Sequence, residues 1–202
     1  MHLKNSSNIK ILFIPLIFSL NLFSAQNGVY LEFGAGLGLE DTLKTKNIDY
    51  KYEASFVGSG AVGYQYNSFS AEIEAKYQQD SLYSTSYGEH SNNIAVDGDL
   101  IQSSQMLNFY YSGYNTSKLV SSIGVGVGIT QISLENVTEL DSKQEDRTDN
   151  SVLSYQGMFS VGYMFTQDLT LLAKYTYFQT SSSDNFESNS DNIFSLNLRY
   201  LF

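Results

Sequence analysis

In the last eleven residues of the chain, 192–202, an apolar side chain recurs at every second position from 194 to 202. The apolar face of this segment carries Phe194, Leu196, Leu198, Tyr200 and Phe202. A period of two is that of a β-strand, whose successive side chains point to opposite faces. In a soluble protein, an exposed strand this apolar would be a template for aggregation, so the strand must be paired and its apolar face covered. Either protein or lipid provides that cover.

The composition of the chain favours lipid as the cover of this apolar face. The chain has 202 residues, of which only 42% are apolar, yet 14% are aromatic, with neither Cys nor Trp. The single proline, Pro15, precedes all of the alternating segments, so no residue downstream would interrupt a hydrogen-bond ladder. The absence of Cys excludes disulfides and Cys-ligated zinc.

The first 25 residues predict a secretory signal peptide. Lys4 and Lys10 precede a nearly apolar run, residues 11–23. Ser24 and Ala25 then offer small residues for cleavage. A membrane-spanning helix needs about 20 apolar residues, so this shorter run fits export better than anchoring. We therefore predict a cleaved segment, residues 1–25, and one domain, residues 26–202.

Eight alternating segments follow, and none has a helical period. They span residues 29–39, 56–66, 69–79, 105–114, 118–132, 152–165, 169–179 and 192–202. An eleven-residue strand tilted by about 40° rises roughly 28 Å, close to the apolar band of a membrane barrel. Short turns alternate with four long connections, residues 40–55, 80–103, 133–150 and 180–191. We predict an all-β fold, an eight-stranded antiparallel up-and-down transmembrane β-barrel with both termini in the periplasm.

Glycine rows and the terminal residues carry a family resemblance. The rows are GAGLG at residues 34–38 and GVGVG at residues 124–128, and the chain ends on Phe202 after Tyr200 and Leu198. With its eight strands, the chain resembles the small outer-membrane barrels of the opacity-protein, OmpX and OmpA-barrel types. The resemblance implies a monomer in the outer membrane, surrounded by lipid and lipopolysaccharide. It also implies that Leu198, Tyr200 and Phe202 form the signal read by the barrel assembly machinery.

The charges divide between connections and strands. The four connections hold 17 of the 21 acidic residues and five basic ones, a net charge of −12, whereas strands and turns sum to zero. Six strand charges have inward parity: Glu32, Glu72, Glu74, Lys76, Lys174 and Arg199. A charge enclosed in a narrow lumen needs a partner that offsets its lost hydration. We predict a Glu32–Arg199 pair where the first and last strands meet. We also predict a network in which Glu72 and Glu74 face Lys76 and Lys174.

The inward glycines are interpreted as space for the long charged side chains of the lumen and for Met158 and Phe178. A ligand cavity is the alternative. A barrel of eight strands is only wide enough for side chains to fill, which predicts a plugged lumen.

Outward aromatic residues gather near both ends of the strands. The set near the short turns is Tyr64, Tyr66, Phe69, Tyr163, Phe165, Tyr200 and Phe202, and the opposite set is Phe56, Tyr77, Tyr155, Tyr175 and Tyr177. They predict two girdles at the lipid headgroups. The net acidity argues against nucleic acid as a partner, because phosphates require basic residues.

Two features of the second connection raise the question of chemistry. His90 lies between Glu89 and Ser91, which suggests a lipid A-modifying enzyme, but adjacency alone does not form a triad. Asp97 and Asp99 offer oxygen ligands to a divalent cation, although their spacing does not match a complete calcium loop. We expect no enzyme activity, no cofactor and no resident metal.

Two classes of function remain open. The first is a non-enzymatic surface barrel, structural or adhesin-like, whose loops meet a host or environmental ligand. The second is a narrow channel or gated transport of small solutes or ions, with the charged lumen as the gate.

Overall fold

The computed structural model describes residues 27–40, 43–45, 48–52, 55–87, 99–114, 118–135, 149–182 and 188–202. The predicted signal peptide, residues 1–25, lies outside them. The described residues form ten strands: β1 (Gly28–Glu40), β2 (Leu43–Thr45), β3 (Ile48–Tyr52), β4 (Ser55–Tyr66), β5 (Phe69–Tyr87), β6 (Asp99–Tyr114), β7 (Leu119–Glu135), β8 (Asp149–Met164), β9 (Leu169–Thr180) and β10 (Ser190–Leu201). This part of the chain contains no helix long and apolar enough to cross a membrane.

Eight of the strands close into one antiparallel barrel. β1 pairs with β4, each strand from β4 to β9 pairs with the next, and β10 pairs back onto β1. The predicted eight-stranded antiparallel barrel is confirmed. Closure is required in lipid, because a backbone N–H or C=O that lacks a partner there finds no water to replace it.

The registers determine how the strands tilt. From Gly28 on β1, the row of paired residues returns to β1 at Gly38 after passing Gln65, Ser70, Tyr110, Gly124, Met158, Thr176 and Ile193. The row therefore climbs ten residues in one circuit (38 − 28). Such a stagger requires strands that are inclined to the barrel axis, by about 40° in membrane barrels.

The two ends of the barrel differ, and we call them the turn end and the loop end. At the turn end, Asn67 and Ser68 join β4 to β5. Asn67 has a φ of 53°, in the left-handed region that Asn tolerates better than most residues. Its backbone N–H donates to Asn27 Oδ1 at 2.6 Å, which ties the turn to the start of β1.

At the loop end, the strands run further than the alternating pattern predicts. β5 continues to Tyr87 and β6 begins at Asp99, so both extend into the predicted connection of residues 80–103. Within the predicted connection of residues 40–55, β2 and β3 form a hairpin, and β3 pairs with β5. The predicted boundaries were too short because apolar alternation marks only the part of a strand that meets lipid.

The barrel has inverted polarity. Phe33, Ile73 and Val125 on the outer wall are each 64% exposed, whereas Asn108 and Thr130 are fully buried inside. Among the described residues, buried polar side chains outnumber buried apolar ones. Water against such a wall would be strongly unfavourable, so lipid covers it.

Aromatic side chains border the apolar wall at the turn end. Phe202 is 71% exposed and packs edge-on against Tyr200, with ring centroids 4.9 Å apart. Tyr163 and Phe165 make a similar pair at 5.4 Å. Edge-on packing suits the ring quadrupoles, and the position is that of a headgroup girdle.

A lysine on the outer wall of β7 is expected to destabilise the barrel according to its depth. Val125→Lys places the charge mid-band and is expected to cost about 2–4 kcal/mol of unfolding free energy, whereas Leu119→Lys, at the turn end of the same strand, costs about 0–1 kcal/mol. Denaturant unfolding in lipid vesicles measures both. Equal losses would contradict a lipid-covered wall.

Candidate functional site

Glu32 receives two cations inside the lumen. It lies opposite Arg199 in the β1–β10 register, and Arg199 Nη2 is 2.6 Å from Glu32 Oε2. Lys174 Nζ, from β9, lies 2.5 Å from Glu32 Oε1, and Asn197 Nδ2 donates to the same oxygen at 2.8 Å. Glu32 is only 2% exposed, so these donors replace its hydration. The structure thus brings Glu32 and Arg199 together at the strand seam.

Glu72 is held mainly by neutral donors. Tyr30 Oη donates to Glu72 Oε2 and Tyr110 Oη donates to Glu72 Oε1, both at 2.8 Å. Arg199 Nη2 lies 4.0 Å from Glu72 Oε2, and the Arg199 guanidinium stacks 4.2 Å from the Tyr30 ring centroid. Arg199 therefore stands between two carboxylates, closer to Glu32.

Two amides link the carboxylates of β5. Asn108 Nδ2 donates to Glu72 Oε1 at 3.0 Å and to Glu74 Oε2 at 2.8 Å. Gln156 Nε2 donates to Glu74 Oε2 at 2.9 Å and to Asn108 Oδ1 at 2.8 Å. The hydrogen-bond network therefore spans the lumen from β5 through β6 to β8.

Lys76 joins the network through an amide and an aromatic ring. Its Nζ donates to Gln156 Oε1 at 3.1 Å and lies 3.4 Å from the centroid of the Phe178 ring. A desolvated cation over a ring face is stabilised by the ring quadrupole. Lys76 thus reaches Glu74 through Gln156.

The inward charges have ion-pair partners that differ from the predicted ones. The sequence suggested that Glu72 and Glu74 face Lys76 and Lys174, but Lys174 pairs with Glu32. Strand parity identifies which side chains point inward, but it does not say how far each reaches across the lumen. The amides and phenols that complete the network, Asn108, Gln156, Asn197, Tyr30 and Tyr110, were missed, although inward parity alone would have identified them.

Asp191 is a lumen residue that the sequence analysis had assigned to a loop. It is the second residue of β10, is 1% exposed and accepts a hydrogen bond from Gln78 Nε2 at 3.3 Å. The described lumen therefore holds four acids, Glu32, Glu72, Glu74 and Asp191, against three bases, Lys76, Lys174 and Arg199. The expected neutral balance was wrong by one charge.

An apolar cluster fills the lumen on the loop side of the network. It consists of Val57, Met106, Phe178 and Ile193, none more than 3% exposed. Phe178 lies four residues nearer the loop end than Lys174 on β9, and Ile193 lies six residues nearer it than Arg199 on β10. Ions that enter from the loop end would pass Asp191 and meet this cluster before they reach Glu32, Lys174 and Arg199.

Inward glycines make room for aromatic rings. A Cβ added at Gly63 would overlap the Tyr30 ring, and one at Gly124 would overlap the Tyr110 ring. These rings carry the hydroxyls that bind Glu72. At these two glycines the space serves Tyr30 and Tyr110, whereas the sequence suggested the charged side chains, Met158 and Phe178.

The remaining predicted residues lie elsewhere. Leu198, Tyr200 and Phe202 are exposed on the outer wall of β10 or just after it. His90 and Asp97 lie outside the described residues, and Asp99 begins β6 with its side chain outside them. In the part of the chain that the structure describes, no group of three or more His, Asp or Glu side chains could hold a metal ion.

A closed barrel with an apolar outer wall and a filled, charged interior defines an integral membrane β-barrel. Residues 16–202 match the family of the outer membrane protein beta-barrel domain, and the chain belongs to this family. Because the chain belongs to this family, the protein is one of the outer membrane β-barrel proteins.

Two solved structures share the fold. Neisserial surface protein A (NspA) is 14% identical, with a TM-score of 0.62 over 87% of this chain and 97% of the other. The outer membrane protein OprG from Pseudomonas aeruginosa is 13% identical, with a TM-score of 0.56 over 89% and 99%. No curated protein is significantly similar in sequence. At such identities, the likeness shows the fold alone.

Removing the charge of Glu32 is expected to destabilise the barrel strongly. Glu32→Gln leaves Lys174 and Arg199 buried without their carboxylate, which costs about 3–5 kcal/mol of unfolding free energy. Asp168→Asn, on an exposed turn, is the matched control and is expected to change it by less than about 0.5 kcal/mol. Denaturant unfolding in vesicles measures both. A Glu32→Gln protein as stable as the control would show that the lumen pair contributes little.

Proposed function

We propose that the protein is a non-enzymatic surface barrel that acts through its acidic loops, in a structural or adhesin-like role. The observation that carries this proposal is the filled lumen. The network around Glu32 and the apolar cluster occupy the interior, with Asn108 and Phe178 buried in it. A barrel whose interior is filled offers its loop end as the place to meet a partner.

The loops concentrate the negative charge. With Asp191 turned inward, the four connections keep 16 acids (17 − 1) and five bases, a net charge of −11. Like charges at this density keep the loops solvated and attract cationic surfaces over a Debye length of about 8 Å at physiological salt. The partner that this charge favours is a basic protein surface.

The proposal includes an orientation and an assembly route. The loop end faces outward and both termini lie in the periplasm, as the asymmetry between short turns and long connections favours. Leu198, Tyr200 and Phe202 form the signal for the assembly machinery, which their exposed row on β10 leaves accessible. The barrel is a monomer in lipid and lipopolysaccharide. The similar fold of Neisserial surface protein A is compatible with a surface role.

Neutralising one loop is expected to reduce binding to a cationic surface. The test variant replaces Glu139, Asp141, Glu145 and Asp146 with their amides, and Asp168→Asn at the turn end is the control. Cells that display the wild type are expected to bind polylysine-coated beads more than cells with the loop variant, and the difference should shrink at high salt.

The control also tests the orientation. Asp168 lies on the periplasmic side in the proposed orientation, so Asp168→Asn cells should bind the beads as wild-type cells do. Equal binding by all three proteins would overturn the role of the loops. Reduced binding by Asp168→Asn alone would reverse the proposed orientation.

A narrow, gated channel is the second candidate. The observation that favours it is the position of Arg199, 2.6 Å from Glu32 and 4.0 Å from Glu72. A cation between two carboxylates can change partners, and such a change would alter the obstruction in the lumen.

Planar-bilayer recording separates the two candidates. We expect the purified wild type to carry no steady current, because desolvating an ion past the apolar cluster is costly. Replacing Phe178 and Met106 with Ala should open a path and raise the conductance. Large, steady currents through the wild type would instead favour the channel.

A further inference from the structure

A groove of about 590 Å³ crosses the outer wall of the barrel from β4 to β8. Nine of its twelve lining residues have outward parity, so it opens toward the membrane, and the other three, Ser59, Lys76 and Ser104, have inward parity. Its outward residues are, in the lower part, Gly58, Gly60, Ala75 and Tyr77 and, in the upper part, Ser103, Gln105, Ile129, Gln131 and Ser151. Elsewhere on the outer wall, the outward-facing side chains are mostly large and apolar.

The groove runs diagonally from inside the apolar band to above it. Gly60 lies six residues before Tyr66 at the turn end of β4, which corresponds to a height of about 15 Å for a tilted strand. Ser151 lies fourteen residues before Phe165 at the turn end of β8, about 35 Å above it by the same measure. The apolar band is about 25 Å tall. Gly60 is therefore immersed, whereas Ser151 lies above the apolar band, beside the headgroups.

The register connects the two parts. Gly58 is paired with Tyr77, Tyr77 with Ser103, and Ser103 with Gln131, so one row of paired residues runs from the lower part on β4 to the upper part on β7. The row below it joins Gly60, Ala75 and Gln105. The lower part holds two glycines, an alanine and a tyrosine, whereas four of the five outward residues in the upper part are polar and the fifth is Ile129.

The two outward glycines are not required by the packing of the protein. A Cβ at Gly60 would meet only the Phe33 ring, at 3.6 Å, and one at Gly58 only Phe56, at 3.8 Å. Both are ordinary contacts, in contrast to the overlaps at the inward Gly63 and Gly124. Glycine weakens a strand interior, so its presence here calls for another reason. At both positions the missing side chain leaves the recess open.

We propose that this groove binds one molecule of the glycolipid of the outer leaflet, lipid A. An acyl chain lies against Gly58, Gly60 and Ala75, and the amide, ester and hydroxyl groups near the sugar bind Gln105 and Ser103. The choice of leaflet rests on the orientation given under the proposed function. The volume is that of a small-ligand site.

Two observations favour a lipid over a second copy of the chain. The groove is continuous with a wall that lipid already covers, so lipid is the neighbour at every edge. Its polarity changes along its length, from apolar to hydrogen-bonding, as an amphiphile does. A symmetric contact between two barrels would pair like with like and would not use such a gradient.

Filling the groove tests the proposal. Gly60→Leu and Ala75→Leu occupy the immersed part, and Gln105→Leu removes the amide. The matched control is Gly157→Leu, because Gly157 lies on the outer wall of β8 outside the groove, with open space where its Cβ would be. Heat-modifiable migration verifies that each variant forms the barrel.

The measurement is native mass spectrometry of the full chain in detergent, titrated with purified lipid A. We expect one tightly held lipid A on the wild type and on Gly157→Leu, and about tenfold weaker binding to Gly60→Leu, since the displaced contact amounts to about two methylene groups. Gln105→Leu should lower the preference for lipid A over dimyristoyl phosphatidylglycerol, which has no amide. The readout does not depend on orientation, so it is independent of the loop experiment.

Two outcomes would overturn the proposal. Equal lipid A binding by Gly60→Leu and Gly157→Leu would show that the groove is not the site. A wild-type dimer that Gly60→Leu converts to a monomer, with lipid binding unchanged, would assign the groove to a second copy.

Discussion

The ion pairs of Glu32 are the interaction on which the interior depends. This carboxylate lies on the first barrel strand, and its donors Arg199 and Asn197 lie on the last, with Lys174 on the strand before it. The seam between β1 and β10 is therefore joined twice, by the backbone ladder and by buried charge. Each depends on the other, because an open seam would expose unpaired backbone to lipid and leave these charges without partners.

The interior and the outer wall meet different physical requirements. Inside, buried charges and amides satisfy one another, and the inward glycines admit the rings of Tyr30 and Tyr110 that bind Glu72. Outside, the wall needs only to be apolar over the height of the bilayer. The diagonal groove departs from that rule, and its small and polar residues coincide with a recess in the wall.

The sequence predicted most of the barrel but little of the geometry inside it. Period-two patterns identified all eight barrel strands, because lipid on one face and a polar lumen on the other impose alternation. They did not predict the extension of β5 to Tyr87, because the sequence there does not alternate between apolar and polar residues. They also did not predict the hairpin of β2 and β3, whose strands are only three and five residues long. Asp191 was assigned to a loop because the predicted strand began at residue 192, whereas β10 begins at Ser190.

The sequence by itself determined the class of the protein, the inward parity of its six strand charges and the acidity of its loops, since these follow from side-chain order along single strands. Only the tertiary structure decided that Lys174 binds Glu32, that amides connect Glu72 to Glu74, and that a groove crosses the outer wall. The reason is the stagger of ten residues around the barrel, which brings together side chains from strands far apart in the chain. Parity along one strand contains no information about that stagger.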